Sequence, residues 1–260
     1  MPVETPAQVI EVFHLLFLRV LASDRQDWFV LKGGANIRYF FESHRYSNDI
    51  DLDFHGREAW KVGETVEKVL GGRALGILTR QAKIEIAETS APKQTNTTRR
   101  WKIGLVAEGH TGTIRTKVEF SDRNGWGDDV AFEAVPDAVV RPYGVTAPLV
   151  VHYRETAAID QKIAALALRS ETKARDVYDL DLLIRRRHAA PPPRPDLSPE
   201  HASEAALRAL EIPFDSFRSE VVPFLDPDVA ALYDEATWDQ MRTGVATSLD
   251  ELVSTTGGDQ

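Results

Sequence analysis

The hexapeptide Asp49-Ile50-Asp51-Leu52-Asp53-Phe54 constrains this chain more than any other stretch. Side chains alternate across a β-strand, so Asp49, Asp51 and Asp53 share one face and Ile50, Leu52 and Phe54 take the other. The apolar face belongs against a core. The acidic face lines up three like charges on a residue type that is a poor strand former. Such a row calls for counter-charge, and a divalent cation supplies the most. Carboxylates at i and i+2 can bracket Mg²⁺ ions about 3.5–4 Å apart, the arrangement of two-metal phosphoryl transfer. The plain alternative is the solvated face of an edge strand.

A third acid is expected from a neighbouring strand. Over Thr113–Phe120, Ile114, Val118 and Phe120 face one way, and Arg115, Lys117 and Glu119 the other. Glu119 joins the aspartates if this strand pairs with residues 49–54. Glu85 and Glu88 are rivals from another strand, and the pairing is not readable from one sequence. Upstream, Gly33-Gly34 lies between a short apolar strand, Trp28 to Leu31, and a helix that starts at Ala35. A glycine turn of this kind lets backbone N–H groups approach phosphate oxygens. The helix N-terminus adds roughly half a positive charge. Lys32 would add a full one.

The remaining pattern sets the architecture. A helix is expected over residues 5–23 and another over 57–70. Strands are expected at 74–80, 82–88, 99–108 and 113–121, with a further short one near Val139 to Arg141. From about Tyr153 the period turns helical, with a helical pair over 154–170 and 172–188. Residues 190–199 hold five prolines and read as a linker or sharp turn. Residues 198–253 read as three or four short helices, and 254–260 as a frayed tail. This order is α+β, with a strand-rich part over 1–150 and an all-helical part over 151–260.

In the helical pair, Ile159, Ile163, Leu166 and Ser170 form one stripe, and Lys162 lies at its margin. Val177, Leu180, Leu183 and Ile184 form the apolar arc of the next helix, and Asp176 projects inside it. A carboxylate there must be paired, and Lys162 is a candidate partner. Arg175 and Asp179 stand at i,i+4 spacing, which suggests a helix surface pair.

Composition closes several doors. The 260 residues include no cysteine, so disulfides, iron–sulfur clusters, thiolate zinc sites and thiol nucleophiles are excluded. No stretch approaches the roughly 20 apolar residues of a membrane span. Glu4, Glu11, His14 and Arg19 make the start an amphipathic helix rather than a signal peptide. A cytoplasmic protein with no membrane partner is the expectation. The formal net charge of -9 argues against binding bulk nucleic acid. Any RNA contact has to come from local runs such as Arg99 to Lys102 or Arg185 to His188. The histidines show no metal-ligand spacing. Trp101 reads as a packing residue, with base stacking as the alternative.

LKGGANIRYFF followed by RYSNDIDLDF resembles the glycine-turn and Asp-x-Asp motifs of the nucleotidyltransferase β fold. QKIAALALRSETKARDVYDL resembles the third and fourth motifs of the AbiEii/AbiGii toxins, the family of the MenT-like toxins. Its members act in type IV toxin–antitoxin and phage-abortive systems. The likeness is clear over residues 30–54 and 155–184 and looser between them. It implies a Mg²⁺-dependent nucleotidyltransferase on a mixed sheet with flanking helices. Asp49 and Asp51 would be catalytic metal ligands, with Glu119 as the third. Lys32, Gly33, Gly34, Ser47, Lys162 and Asp179 would bind the NTP, Lys162 near its triphosphate. Asp176, with Asp179, matches the Asp-x-x-Asp of the fourth motif, and Lys162 and Asp176 would join the catalytic set. Ala35 departs from the family, which usually has Thr or Ser there. Ser47 matches a position near the terminal phosphates, where phosphorylation would repel an incoming triphosphate. The implied acceptor is the 3′ end of tRNA, the donor CTP or another pyrimidine nucleotide, and the protein partner a cognate antitoxin. Two alternatives stand beside this: NMP transfer to a protein or small molecule, and a non-catalytic nucleotide-binding module.

Overall fold

The computed structural model describes residues 3–23, 27–186 and 198–256. The chain divides into two compact units, residues 1–42 with 46–154, and residues 43–45 with 155–260. Of the expected linker at 190–199, residues 190–197 lie outside the described residues, as do the basic residues Arg187 and His188 and the end of the tail; Ser198 and Pro199 open a helix.

The first unit opens with α1 (Pro6–Leu21). Thr5 caps it, accepting from the Gln8 amide while the Gln8 side chain accepts from the Thr5 amide. Seven strands follow in the spatial order β3-β4-β5-β2-β1-β7-β6. They are β1 (Phe29–Lys32), β2 (Asp49–Phe54), β3 (Ile84–Gln94), β4 (Thr98–Ala107), β5 (Ile114–Asp122), β6 (Val130–Ala134) and β7 (Leu149–Tyr153). The sheet is mixed: β2 runs parallel to β5 and antiparallel to β1, and β1 runs parallel to β7. The acidic strand is therefore the middle strand of seven, not an edge. Helices α1, α3 (Ala59–Leu70) and α4 (Arg73–Gln81) pack with the sheet. Ile50, Leu52, Phe54, Val118, Phe120, Trp101 and Ile103 join the buried core with them. Trp101 is buried edge-on to Phe120, which removes it as a base-stacking surface.

Two expectations fail here. Residues 74–80 form α4 rather than a strand, because Leu75, Leu78 and Thr79 turn inward at helical spacing. Near 139–141 a short helix, α5 (Asp137–Val140), stands in place of a strand, and the strands lie on either side of it as β6 and β7.

The second unit is helical: α6 (Glu155–Leu168), α7 (Ala174–Arg186), α8 (Pro199–Glu211), α9 (Phe214–Glu220), α10 (Pro227–Ala230) and α11 (Glu235–Thr256). The last is a 22-residue helix, longer than the short helices expected. Phe217 anchors the packing with its ring 4.8 Å from Trp238, whose indole N–H donates to the Ile212 carbonyl at 3.0 Å. Among the described residues, no helix is long and apolar enough to cross a membrane.

Candidate active site

The sheet's second face carries the charged residues of β2 and β5. Parallel register sets Asp49 opposite Lys117, Asp51 opposite Glu119 and Asp53 opposite Ser121. Glu119 thus stands beside Asp51, whereas Glu85 and Glu88 lie on β3, separated from β2 by both β4 and β5. Lys117 occupies the middle of the group. Its ammonium is 3.1 Å from Asp49 Oδ2, 3.7 Å from Glu119 Oε2 and 3.9 Å from Asp51 Oδ1. Arg100, opposite Glu119 on β4, donates to Glu119 Oε2 at 2.5 Å. Burial alone would raise the Glu119 carboxyl, but Arg100 and Lys117 outweigh it and hold it below the ordinary range. Asp51 goes the other way: burial and the Asp49 charge lift it, against the pull of Lys117.

Asp53 shares the face but not the environment. It is buried, paired with Lys32, and accepts from the Tyr153 hydroxyl at 2.9 Å; Arg123 lies 3.6 Å away. Its charge is locally balanced, and burial together with Asp53 holds the Tyr153 phenol well above its ordinary value. Lys32 is thus engaged with Asp53, not standing free beside the glycine turn.

That turn abuts the carboxylates. Helix α2 (Gly33–Phe40) begins directly after β1, and no side chain caps its N-terminus. Gly33 takes φ +69°, a left-handed conformation that favours glycine. A Cβ built there would stand 3.2 Å from Asp51 Oδ2. Gly33 therefore lets the uncapped helix start lie against the metal-ligand candidate. Gly34 is not left-handed.

Ser47 Oγ donates to the Asp49 carbonyl at 2.7 Å and so shapes the approach to β2. Behind it runs a chain of buried polar groups that sequence reading missed. The Thr116 hydroxyl donates to the Asn48 carbonyl at 2.7 Å, so its oxygen accepts from His14 Nε2–H, also at 2.7 Å. Only the separation of 102 residues hid this pair.

The second unit holds its own buried ion cluster. Lys162 donates to Asp176 Oδ1 at 2.8 Å and lies 2.6 Å from Asp179 Oδ2. Arg169 also pairs with Asp176. Arg45 grips Asp179 through Nε and Nη2, at 3.1 and 2.8 Å. Burial would raise Asp179, but Arg45 and Lys162 outweigh it and lower it. The i,i+4 pair expected between Arg175 and Asp179 is replaced by this cluster, because Asp179 points inward.

Uncapped helix, left-handed glycine and paired strand carboxylates on a mixed sheet define a nucleotidyltransferase-type fold. Two solved structures share it. One is a protein of H. pylori assigned provisionally as a nucleotidyltransferase, with TM-score 0.64 and 17% identity, covering 98% of this chain and 99% of that one. The other is JHP933 from Helicobacter pylori, with TM-score 0.58 and 18% identity, covering 98% and 96%. No curated protein matches the chain. The model of the nucleotidyl transferase AbiEii toxin family, of type IV toxin–antitoxin systems, matches residues 14–253. The chain belongs to that family.

Proposed function

We propose that this protein is a cytoplasmic Mg²⁺-dependent toxin that moves NMP from an NTP to the 3′ end of tRNA. CTP or another pyrimidine nucleotide is the donor. Capping the acceptor end stops aminoacylation and translation, and a cognate antitoxin opposes the activity. The observation that carries the reading is the close approach of the Gly33 turn to Asp51, which sets the uncapped start of α2 against a strand carboxylate.

Magnesium fits the donor set. Asp49, Asp51 and Glu119 offer hard oxygen ligands, and the Lys117 ammonium already stands among them as a cation. Among the described residues no three ligands form a ready metal cage. Magnesium does not need one, since it takes one or two carboxylates and completes its shell with water and substrate phosphate. Bound there, it would neutralise the triphosphate and stabilise both the attacking and the leaving oxygen.

The residues divide the remaining work. Asp49 and Asp51 would hold the metal, with Glu119 as third ligand. The N–H groups of Gly33 and Gly34 would face the phosphates, favoured by the helix dipole. Asp53 would keep Lys32 in place at the end of β1. The acceptor hydroxyl attacks the α-phosphorus; the new O–P bond forms as the bond to the bridging oxygen breaks and pyrophosphate leaves. Preorganised charge would supply most of the acceleration. Lys162, Asp176 and Asp179 take their nucleotide and catalytic roles from the family likeness. In their own unit they form a salt-bridged brace between α6 and α7.

Incubation with each α-labelled NTP, Mg²⁺ and total tRNA tests the acceptor. Label should enter tRNA and fail to enter tRNA whose 3′ diol has been oxidised with periodate. Label in protein, or equal label in oxidised tRNA, would overturn the proposed acceptor.

A further inference from the structure

We infer that Lys117 is a built-in counter-cation, which holds the carboxylates together before metal binds and which a divalent ion must displace. This rests on the nucleotidyl-transfer reading above and extends it to how the site is kept assembled.

Three carboxylates from two adjacent strands converge on one ammonium, at 3.1 to 3.9 Å. Without a cation at that point, Asp49, Asp51 and Glu119 would repel one another across a single strand pair. Register puts the lysine there: Lys117 lies opposite Asp49 and two residues before Glu119 on the same face of β5. On its other side, β4 sets Lys102 opposite Lys117. Like charges facing each other across strands are unfavourable, so Lys102 biases Lys117 toward the acids. Arg100 hydrogen-bonds Glu119 alone among the three, and Asp49 also accepts a long bond from the Asn48 side chain at 3.4 Å, so Lys117 is the cation that ion-pairs with both aspartates.

The lysine also has somewhere to go. An open groove of about 540 Å³ lies beside Asp49, lined by Lys117, Lys102, Arg115 and Glu88 among others; once metal holds the acids, Glu88 is the carboxylate that offsets the two cations Lys102 and Arg115 there. The Lys117 side chain is partly exposed, and its four-carbon stem can swing into that groove while its backbone stays in the sheet. The ammonium and a hard metal would compete for the same oxygens. Free metal would therefore bind weakly, and metal arriving with a triphosphate would be favoured over metal alone.

The test uses the full chain as wild type, Lys117→Gln and Lys117→Arg, titrated with Mn²⁺ while free Mn²⁺ is read by electron paramagnetic resonance. Lys117→Gln should bind Mn²⁺ at least tenfold more tightly than wild type, and Lys117→Arg should stay near wild type. The melting temperature of Lys117→Gln without metal should fall and recover on adding Mn²⁺. Lys117→Gln that folds and binds Mn²⁺ no better than wild type would overturn the inference. So would a variant that stays unfolded with Mn²⁺, or tight binding that survives an added Asp51→Asn. NMP transfer by the wild-type protein, measured alongside, separates the two failures: transfer without the affinity gain removes the role of Lys117 alone, and no transfer removes the reading beneath it.

Discussion

Gly33 couples two parts of the site through one missing side chain. A left-handed φ costs a non-glycine residue about 1–2 kcal/mol, and a methyl at this position would meet the Asp51 carboxylate. Gly33→Ala should lower stability by roughly that amount yet reduce NMP transfer more than tenfold, because Asp51 must move. Gly34→Ala, free of the left-handed constraint, should keep more activity. Comparing melting temperature with initial rate for both variants checks this; equal losses in the two would contradict it. Ser47→Ala should weaken activity moderately by removing the hydrogen bond to the Asp49 carbonyl. A second residue-scale effect lies in the core. Burial lowers His14 to about 3 and His152 to about 4, from an ordinary value near 6.5. Both are neutral in the fold and take up protons on unfolding. Their contribution to stability is therefore complete above pH 6.5 and is lost as pH falls toward 4. Each histidine adds up to about 1.4 kcal/mol per pH unit in that window. His14→Gln, which keeps a donor for Thr116, should flatten the pH dependence of the urea midpoint between pH 6 and 4. An unchanged slope would contradict the assignment.

The helices and strands show what periodicity can and cannot reveal. Strands β2, β4 and β5 were legible because polar and apolar residues alternate sharply along them. Strand β7, Leu149–Tyr153, is a nearly continuous apolar run merging into helix, and β6 is only five residues long. Neither offers alternation to read. Helix α4 was mistaken because its glycine and short apolar steps mimic period two. At the site, the spacing of Asp49 and Asp51 was plain, while the adjacency of Glu119 depended on a pairing that only the fold supplies. Lys117 is legible on the face of Glu119, but its pairing with Asp49 and Asp51, like that of Arg45 with Asp179, is not: a cation in a strand or loop looks solvent-facing until its partner is known, and Arg45 lies 134 residues from Asp179. The α6–α7 brace gives an element-scale prediction. Lys162→Met leaves two buried carboxylates short of a cation and should destabilise by about 3–5 kcal/mol. Arg218→Ala, which breaks an exposed i,i+3 pair with Asp215, should lower stability by no more than about 1 kcal/mol. Urea denaturation of the two variants compares them directly; similar midpoints would show that the Lys162 cluster does not brace the helices.

For the molecule as a whole, charge is the quantity that shapes recognition. A formal charge of -9 repels a polyanion at long range, so the proposed binding of tRNA would rest on a few local cations. With two or three phosphates neutralised, log K should fall with log salt at a slope of about -2, shallow beside that of basic RNA-binding proteins. Equilibrium binding of tRNA to the Asp51→Asn protein over a salt series measures it, and a steep slope would point to an extensive basic surface that the charge balance does not suggest. The same balance makes the acidic face of β2 costly to keep unless cations accompany it, and the fold answers with Lys32 at Asp53 and Lys117 at Asp49.

The most direct test is the rate of transfer of labelled NMP to tRNA by wild-type and Asp51→Asn protein, with circular dichroism showing both folded. Wild type should form product with Mg²⁺ and stop on chelation, and Asp51→Asn should lose at least a thousandfold in rate while keeping its fold. Transfer by the folded variant at near wild-type rate would contradict the claim that the β2 carboxylates are the catalytic centre.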